Sequence, residues 1–175
     1  MFLDESGFLL VPTRRRTWGI EGVTPVIRFN FRRERISALA ALTVSAERHH
    51  MGLYTRFQRD NFNAADFVNV VRVLLSHMRG EVILLWDSLT GHRSAARRLQ
   101  RRFPRLHIEY FPAYSPELNP VEWVWKDFND HMANSILLDK EHIRQRLHAN
   151  KARVSRTQDK LRSFVLSSDI PSPPW

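Results

Sequence analysis

The chain contains no cysteine among its 175 residues. This absence excludes a disulfide framework and any zinc site that is built on thiolates. A bound metal would need oxygen or imidazole ligands. The composition therefore favours hard cations over soft ones.

Glycine is also scarce, with six residues in the whole chain. The phosphate-binding patterns G-x-x-x-x-G-K-[ST] and G-x-G-x-x-G do not occur, and neither does G-x-S-x-G. The sequence thus gives no support for a nucleotide-binding loop or a serine hydrolase of that type. No window approaches the roughly 20 apolar residues that a transmembrane helix needs, so we expect a cytoplasmic protein with no membrane partner.

Lysine is scarce as well, because 23 of the 27 basic residues are arginines. Against 18 acidic residues this gives a net charge of +9. The planar guanidinium matches phosphate oxygens, so the excess favours a polyanionic partner, most simply nucleic acid. The alternative explanation is a genomic base composition that enriches arginine throughout the proteome. A short basic run in a sequence is also more often a solvated surface than a binding site. The candidate phosphate contacts are Arg14, Arg15, Arg16, Arg32 and Arg33.

The hydrophobic pattern predicts one α/β domain with a mixed sheet. Residues 36–44 are predicted to be a strand buried on both faces, and Asn63 is predicted to cap the helix that follows it. The other predicted strands are 50–57, 81–87 and 106–111, and the other predicted helices are 93–103, 120–132 and about 140–154. The domain is expected to cover residues 1–167, and residues 168–175 are expected to form a loose tail.

Two aspartates follow apolar runs that are predicted to be strands. Asp4 ends the run at residues 1–3, and Asp87 ends the run at 82–86. In an α/β sheet, acids at the carboxyl ends of neighbouring strands face one crevice. Like charges placed so close need a cation between them, and a hard divalent metal is the usual solution. The alternative for each aspartate alone is a turn residue that bonds its own backbone.

Glu122 also has two interpretations. It lies at the third position of a predicted helix, behind Asn119 and Pro120, which is close to a capping box. The same position directs the carboxylate toward the loop after residues 106–111, near the expected place of Asp87. Capping and metal binding are therefore spatially compatible.

Three aromatic side chains lie close to these acids in the sequence. His92 follows Asp87 by five residues, where it either reaches the site or begins the next helix, and we predict structural support. Trp123 and Trp125 flank Glu122 and are predicted to be core or interface residues rather than a platform for stacked bases.

Four stretches of the chain, taken in order, resemble a known family. They are FLDESGF, RRTWGIEGVTP, LLWDSLTGH and FPAYSPELNPVEWVW. Over about residues 1–135 the chain resembles the catalytic domain of DDE transposases of the mariner superfamily, in the bacterial insertion-sequence branch numbered six-thirty. The 34 residues between Asp87 and Glu122 match the spacing of that branch.

The resemblance implies a ribonuclease H-like fold, with a mixed five-stranded sheet flanked by helices. It implies that Asp4, Asp87 and Glu122 are the catalytic and metal-binding residues for two Mg²⁺ ions, with Mn²⁺ as a substitute. The implied activity is DNA strand cleavage and strand transfer, through hydrolysis and transesterification of phosphodiesters. Its implied partners are transposon ends and target DNA, at the bacterial nucleoid.

The chain departs from the family pattern in two ways. Ser88 follows the second acid, where the family usually has asparagine, so the supporting hydrogen bond is expected to differ; the other expected supporting residues are His92 and Asn119. Three residues precede Asp4, so the N-terminal helix-turn-helix modules that recognise transposon ends are expected to be absent or to lie on a separate polypeptide. A homodimer is expected because two ends must be joined.

Two alternatives share these residues. The first is a truncated, non-catalytic transposase remnant that binds DNA or regulates a full-length transposase. The second is a ribonuclease H-like nuclease of RNA or repair intermediates, which the stretches SPELNPVEWVW and RRTWGIEGVTP disfavour. Three intact acids favour a catalytic domain over the remnant.

Overall fold

The computed structural model of the chain describes residues 1–11, 13–26, 34–47 and 50–171. The strands are β1 (Phe2–Leu9), β2 (Arg35–Val44), β3 (Met51–Gln58), β4 (Val82–Trp86) and β5 (Leu106–Tyr110). The helices are α1 (Ala64–His77), α2 (Thr90–Arg102), α3 (Pro120–Met132), α4 (Lys140–Val154) and α5 (Gln158–Leu166), with one 3₁₀ turn at Pro116–Leu118. Within these ranges no helix combines the length and the hydropathy that a bilayer crossing requires.

The sheet is mixed and has the strand order β3-β2-β1-β4-β5. The β1–β2 and β2–β3 pairs are antiparallel, whereas the β1–β4 and β4–β5 pairs are parallel. The predicted mixed sheet of five strands is therefore confirmed, and β1 is its central strand.

Asp4 was expected to end an apolar strand, and this expectation is wrong. It lies inside β1, which continues through Glu5 and Ser6 to Leu9. The polar residues do not end the strand because β2 pairs with β1 along its whole length, including Asp4 with Ala40. The backbone hydrogen bonds of this pairing outweigh the low strand propensity of the acids.

Helices cover both faces of the sheet, and β1 and β2 divide their side chains between the two cores. Leu3 of β1 and Leu39 of β2 pack toward α1 and α2. Phe8 of β1 and Ala40 of β2 pack toward α3, α4 and α5. Residues 36–42 are all buried, so the prediction of a strand buried on both faces is confirmed.

Side chains satisfy the backbone groups at both ends of α1. The Asn63 side chain accepts from the backbone N–H of Asp66 at 3.2 Å, and the Asp66 carboxylate accepts from the backbone N–H of Asn63 at 3.1 Å. This capping box confirms the predicted cap. Beyond the other end, Arg105 donates to the carbonyls of Gly80 at 2.7 Å and Met78 at 3.0 Å.

Helix α5 was not predicted from the sequence. It has nine residues, and helices so short are marginal without tertiary contacts. Leu161 and Phe164 are buried in the core. The carboxylate of Asp127 on α3 hydrogen-bonds Arg153 of α4 and Lys160 of α5, the latter at 2.6 Å. Asp127 therefore joins the three helices on this face of the sheet.

The chain stays packed past residue 168, where a loose tail was expected. Ser168 is buried, the backbone N–H of Asp169 donates to the carbonyl of Glu117 at 2.9 Å, and Ile170 packs against the core. These contacts tie the segment to the 3₁₀ turn before α3. Residues 172–175 lie outside the described residues.

Replacing Asp127 by asparagine should destabilise the fold at neutral pH. Burial raises the pKa of Asp127, but hydrogen bonds from Arg153 and Lys160 and their charges lower it overall. The ion pairs therefore stabilise the protein fully above the ordinary pKa of 3.8, and this contribution is lost as the pH falls through the depressed pKa. Asp127→Asn should lower the unfolding free energy at pH 7 by roughly 1–3 kcal/mol, measured by denaturant titration.

The matched control is Asp130→Asn, which removes the exposed partner of Arg15. An exposed pair contributes at most about 1 kcal/mol. Equal destabilisation by the two variants, or an unchanged difference between wild type and Asp127→Asn at acid pH, would contradict this account.

Candidate active site

All three acids that the sequence singles out lie on the walls of one cleft of about 430 Å³. In the parallel β1–β4 pair, Phe2 is in register with Leu85, so Asp4 and Asp87 follow two residues further on each strand. Glu122 enters from the first turn of α3. Ser88 and Asn119 line the same cleft.

The carboxyl group of Asp4 is buried beside other acids. Its Oδ2 accepts a hydrogen bond from the indole Nε1 of Trp125 at 3.1 Å. Burial, followed by the charges of Glu122 and Glu5, raises the pKa of Asp4 to about 8. Asp4 therefore keeps its proton at neutral pH unless a positive charge enters the cleft.

The start of α3 is capped by Asn119 and not by Glu122. The Asn119 side chain accepts from the backbone N–H of Val121 at 3.1 Å. The backbone N–H of Asn119 donates to the carbonyl of Pro116 at 3.0 Å, so it is not the partner of the Glu122 carboxylate that a capping box requires. The helix start holds the Glu122 carboxylate on the cleft wall, where burial raises its pKa.

Asp87 is held from behind by a buried imidazole. Its Oδ1 accepts from the backbone N–H of Leu89 at 3.1 Å and forms a close hydrogen bond with Nδ1 of His92. The other ring nitrogen of His92 lies 3.1 Å from Oε2 of Glu5. The His92 ring stacks on Trp86 with centroids 4.7 Å apart, which fixes its orientation.

The electrostatics of this array favour the charged forms of His92 and Asp87. Burial lowers the pKa of His92, but hydrogen bonds to Asp87 and Glu5 and their charges raise it to about 9. Burial likewise raises the pKa of Asp87, and hydrogen bonds from His92 and Leu89 lower it below its usual value. At neutral pH an imidazolium therefore lies between two carboxylates.

Sequence reasoning missed the roles of Glu5 and Trp125. Glu5 neighbours Asp4, but alternation along β1 sends the two side chains to opposite faces, so nothing local indicated its contact with His92. Trp125 was predicted to be a core or interface residue, and it is buried. Its position three residues after Glu122, on the same helix face, was the available signal for a site contact.

The cleft also has an exposed aromatic that the sequence did not indicate. Tyr114 lies on the cleft wall with its side chain fully exposed. Its φ of 60° lies in the left-handed region, which non-glycine residues rarely adopt. The turn between β5 and the 3₁₀ turn therefore holds this ring outward at the rim.

The arginines that the sequence suggested as phosphate contacts differ in their surroundings. Arg14, Arg15 and Arg16 are exposed in a segment without helix or strand. The Arg15 guanidinium is paired with Asp130 at 2.6 Å. Arg32 and Arg33 lie outside the described residues.

The cleft offers the oxygen ligands that hard cations prefer, but its carboxylates do not surround a single point closely. In the part of the chain that the structure describes, no three His, Asp or Glu side chains are grouped closely enough to hold one ion. Asp4, Asp87 and Glu122 nevertheless offer carboxylate oxygens to a shared space, and burial with the charges of Glu122 and Glu5 raises the pKa of Asp4. Carboxylate oxygens are the ligands that Mg²⁺ and Mn²⁺ prefer.

Comparison with known proteins gave one family match. A family model described as DDE superfamily endonuclease matches residues 1–144. No match was found among curated proteins.

Solved structures with a similar fold include two complexes of Mos1. The Mos1 mariner paired end complex with Mn has a TM-score of 0.70 at 18% identity, over 94% of this chain and 51% of that chain. The Mos1 Strand Transfer Complex has a TM-score of 0.69 at 19% identity, over 94% and 50%. This chain therefore spans about half the length of those chains.

The Mos1 transposase catalytic domain with Raltegravir and Mn has a TM-score of 0.64 at 15% identity, over 94% of this chain and 74% of that one. At identities this low, the structural likeness shows that the fold is shared and nothing more. The predicted ribonuclease H-like fold is confirmed by this likeness.

Replacing Trp125 by phenylalanine should raise the pKa of Asp4 further, because the indole N–H stabilises the ionised carboxylate. Carboxyl ¹³C NMR titration measures this change. Trp123→Phe is the matched control, since its ring lies under the Lys126 ammonium at 4.2 Å. We expect no shift in the control, and an unchanged Asp4 titration in Trp125→Phe would contradict the hydrogen bond.

Proposed function

Because the chain belongs to the DDE superfamily endonuclease family, we propose that it is the catalytic domain of a transposase of the mariner superfamily, in the bacterial insertion-sequence branch numbered six-thirty. Its reaction would be metal-dependent DNA cleavage and strand transfer. The supporting observation is the shared cleft of Asp4, Asp87 and Glu122. The two Mos1 complexes, which contain about twice this length of chain, support the same class of reaction.

Asp4, Asp87 and Glu122 would hold two Mg²⁺ ions, or Mn²⁺ in their place. Such ions would supply Lewis-acid activation of the attacking oxygen and stabilisation of the leaving oxygen. The fit rests on the chemistry of the three carboxylates, which offer only oxygen ligands to one cleft. Mos1 complexes are described with Mn and with Mg.

The residues of this chain prepare the site for that chemistry. His92 and Glu5 orient the Asp87 carboxylate through one line of hydrogen bonds. Trp125 orients Asp4 and favours its ionised form. Phe111 provides an apolar wall that limits water around the reacting phosphate.

Both proposed steps break one P–O bond and form another. In cleavage, water loses a proton as its oxygen bonds to phosphorus, and the 3′-oxygen of the DNA leaves and takes up a proton. In strand transfer, that 3′-hydroxyl attacks a target phosphodiester, loses its proton, and displaces the target's own 3′-oxygen. No covalent link to the protein is needed.

Self-association is the partner arrangement that the exposed surface supports. The segment 13–26 carries four exposed apolar side chains: Trp18, Ile20, Val23 and Val26. Trp18 is fully exposed. Apolar side chains gathered on one surface segment mark an interaction site, and a second copy of the chain would allow two transposon ends to be joined.

The proposed activity predicts metal-dependent nicking of supercoiled plasmid by the purified chain. Asp87→Asn should abolish nicking in Mg²⁺ or Mn²⁺ because it removes a ligand charge without changing shape. Asp60→Asn, at an exposed acid outside the cleft, should nick like the wild type, and EDTA should stop both.

The competing candidate is a non-catalytic protein that binds DNA or regulates a full-length transposase. It is favoured by the lack of a closed three-carboxylate cage among the described residues. A folded wild-type chain that binds DNA without nicking it would support this candidate and reject the catalytic one.

Metal binding should also show in thermal stability without DNA. Between pH 3.8 and about 8 the folded state holds a proton on Asp4 that the unfolded state has lost, so stability falls as the pH rises through this window. Asp4→Asn should therefore raise the melting temperature at pH 8 in EDTA. Mn²⁺ should stabilise the wild type more at pH 8 than at pH 6, since the ligand must be ionised.

Differential scanning calorimetry at the two pH values measures both effects. Asp130→Asn serves as the control, because this acid is exposed and pairs with Arg15. An equal Mn²⁺ response in wild type and Asp4→Asn would reject Asp4 as a ligand.

A further inference from the structure

Helix α2 has two faces of opposite character. Its inner face is buried and consists of His92, Ala95, Ala96 and Leu99. Its outer face carries five exposed arginines: Arg93, Arg97, Arg98, Arg101 and Arg102. No acidic residue occurs between Thr90 and Arg102.

This arrangement opposes the stability of the isolated helix. Arg93, Arg97 and Arg101 follow one another at four-residue spacing, so they lie in one row on the surface. Like charges at this spacing destabilise a helix, and exposed helices usually intersperse acids that relieve it. A genomic base composition that enriches arginine would account for the number of arginines in α2, but not for the absence of acidic residues between them.

The charges of this face are not neutralised within the described chain. Arg97, Arg98 and Arg101 have no hydrogen-bond or ion-pair partner among the described residues. Arg93 donates from Nε to the carbonyl of Ser88 at 3.0 Å, which is not an anion. Some arginines elsewhere are paired with acids, as Arg153 is with Asp127.

The arginine face begins at the rim of the active-site cleft. Ser88 and Leu89 line the cleft beside Asp87 and lead directly into α2. The row from Arg93 to Arg101 then runs away from the cleft over about 12 Å, at 1.5 Å per residue. A polymer that leaves the cleft past Ser88 and Leu89 would pass along this row.

We propose that the arginine face of α2 binds the phosphate backbone of duplex DNA that extends out of the cleft; the proposal rests on the proposed function. Guanidinium groups pair with phosphate oxygens bidentately. Duplex DNA carries a charge about every 1.7 Å of its axis, so each arginine of the row meets a separate phosphate. This surface carries no base-reading contacts and serves DNA of any sequence.

The test compares two triple variants with the same change in net charge. One carries Arg97→Gln, Arg98→Gln and Arg101→Gln on α2. The other carries Arg59→Gln, Arg144→Gln and Arg156→Gln at exposed positions elsewhere. Duplex affinity is measured by fluorescence anisotropy over a range of NaCl concentrations in EDTA, so that no cleavage occurs.

The α2 variant should flatten the plot of log affinity against log salt by about 2.7, which is about 0.9 for each phosphate that the three arginines no longer neutralise. The control triple should change the slope by less than about 0.9, the value for a single phosphate. Equal slopes for the two variants, a wild-type slope in the α2 variant, or a wild-type chain that binds no duplex would each overturn the proposal.

Binding and nicking are scored separately, so the two proposals fail in different ways. If the wild type does not nick but α2 alone sets the salt slope, the DNA surface stands and the catalytic proposal fails. If the wild type nicks and the α2 variant keeps the full slope, the catalytic proposal stands and the surface is rejected.

The absence of cysteine allows a direct test of position. Arg98→Cys introduces the only thiol in the chain, and Arg144→Cys is its matched control. Disulfide capture of a duplex with a thiol tethered to its backbone should favour position 98 at least tenfold. Equal capture at both positions would overturn the placement.

Discussion

The position of β1 between an antiparallel neighbour and a parallel one is the constraint on which the site depends. Because β2 pairs with β1 along its whole length, the strand continues past its polar residues. Its pairing with β4 sets Asp4 level with the end of that strand, where Asp87 lies. The consequence is a carboxyl group placed where water is scarce and a second acid beside it, which destabilises the protein unless positive charge compensates.

Each of the three acids of the cleft has a different environment, which determines how the destabilisation by buried like charges is relieved. Asp4 keeps a proton, as its pKa of about 8 shows, and receives the indole N–H of Trp125. Asp87 faces the imidazolium of His92, which Glu5 supports from the other side. Glu122 remains on the cleft wall at the start of α3. Burying these acids makes the protein less stable than apolar side chains at the same positions would.

The arginines of the chain do several different jobs, although composition counts them together. Arg105 satisfies carbonyl groups after α1, and Arg153 pairs with Asp127 to hold α4 on α3. Arg15, which the basic run near the N-terminus suggested as a DNA contact, is paired with Asp130. Those of α2 have no acidic partner among the described residues, and their helix begins beside the cleft. Net charge indicated a polyanionic partner, but only the fold separates structural guanidinium groups from available ones.

The sequence by itself determined most of the elements, because their signals are local. Apolar runs and helical spacing predicted β2 to β5 and α1 to α4, and Asn63 marked the start of α1. The four motifs led to the family and to the acids that line the cleft. Helix α5 escaped prediction because its stability comes from packing on α3 and not from its own nine residues.

Tertiary structure alone decided the environment of the acids. The contact of His92 with Glu5 joins positions 87 residues apart, and that of Trp125 with Asp4 joins positions 121 apart. No local pattern encodes such pairs, since they exist only once β1 lies between β2 and β4 and α3 lies across the sheet. The same reason explains why the sequence could not show which arginines are paired with acids and which are not. Sequence periodicity sets which face of an element is buried, whereas the pKa of a carboxyl group and the availability of a charge depend on the neighbours that folding brings to it.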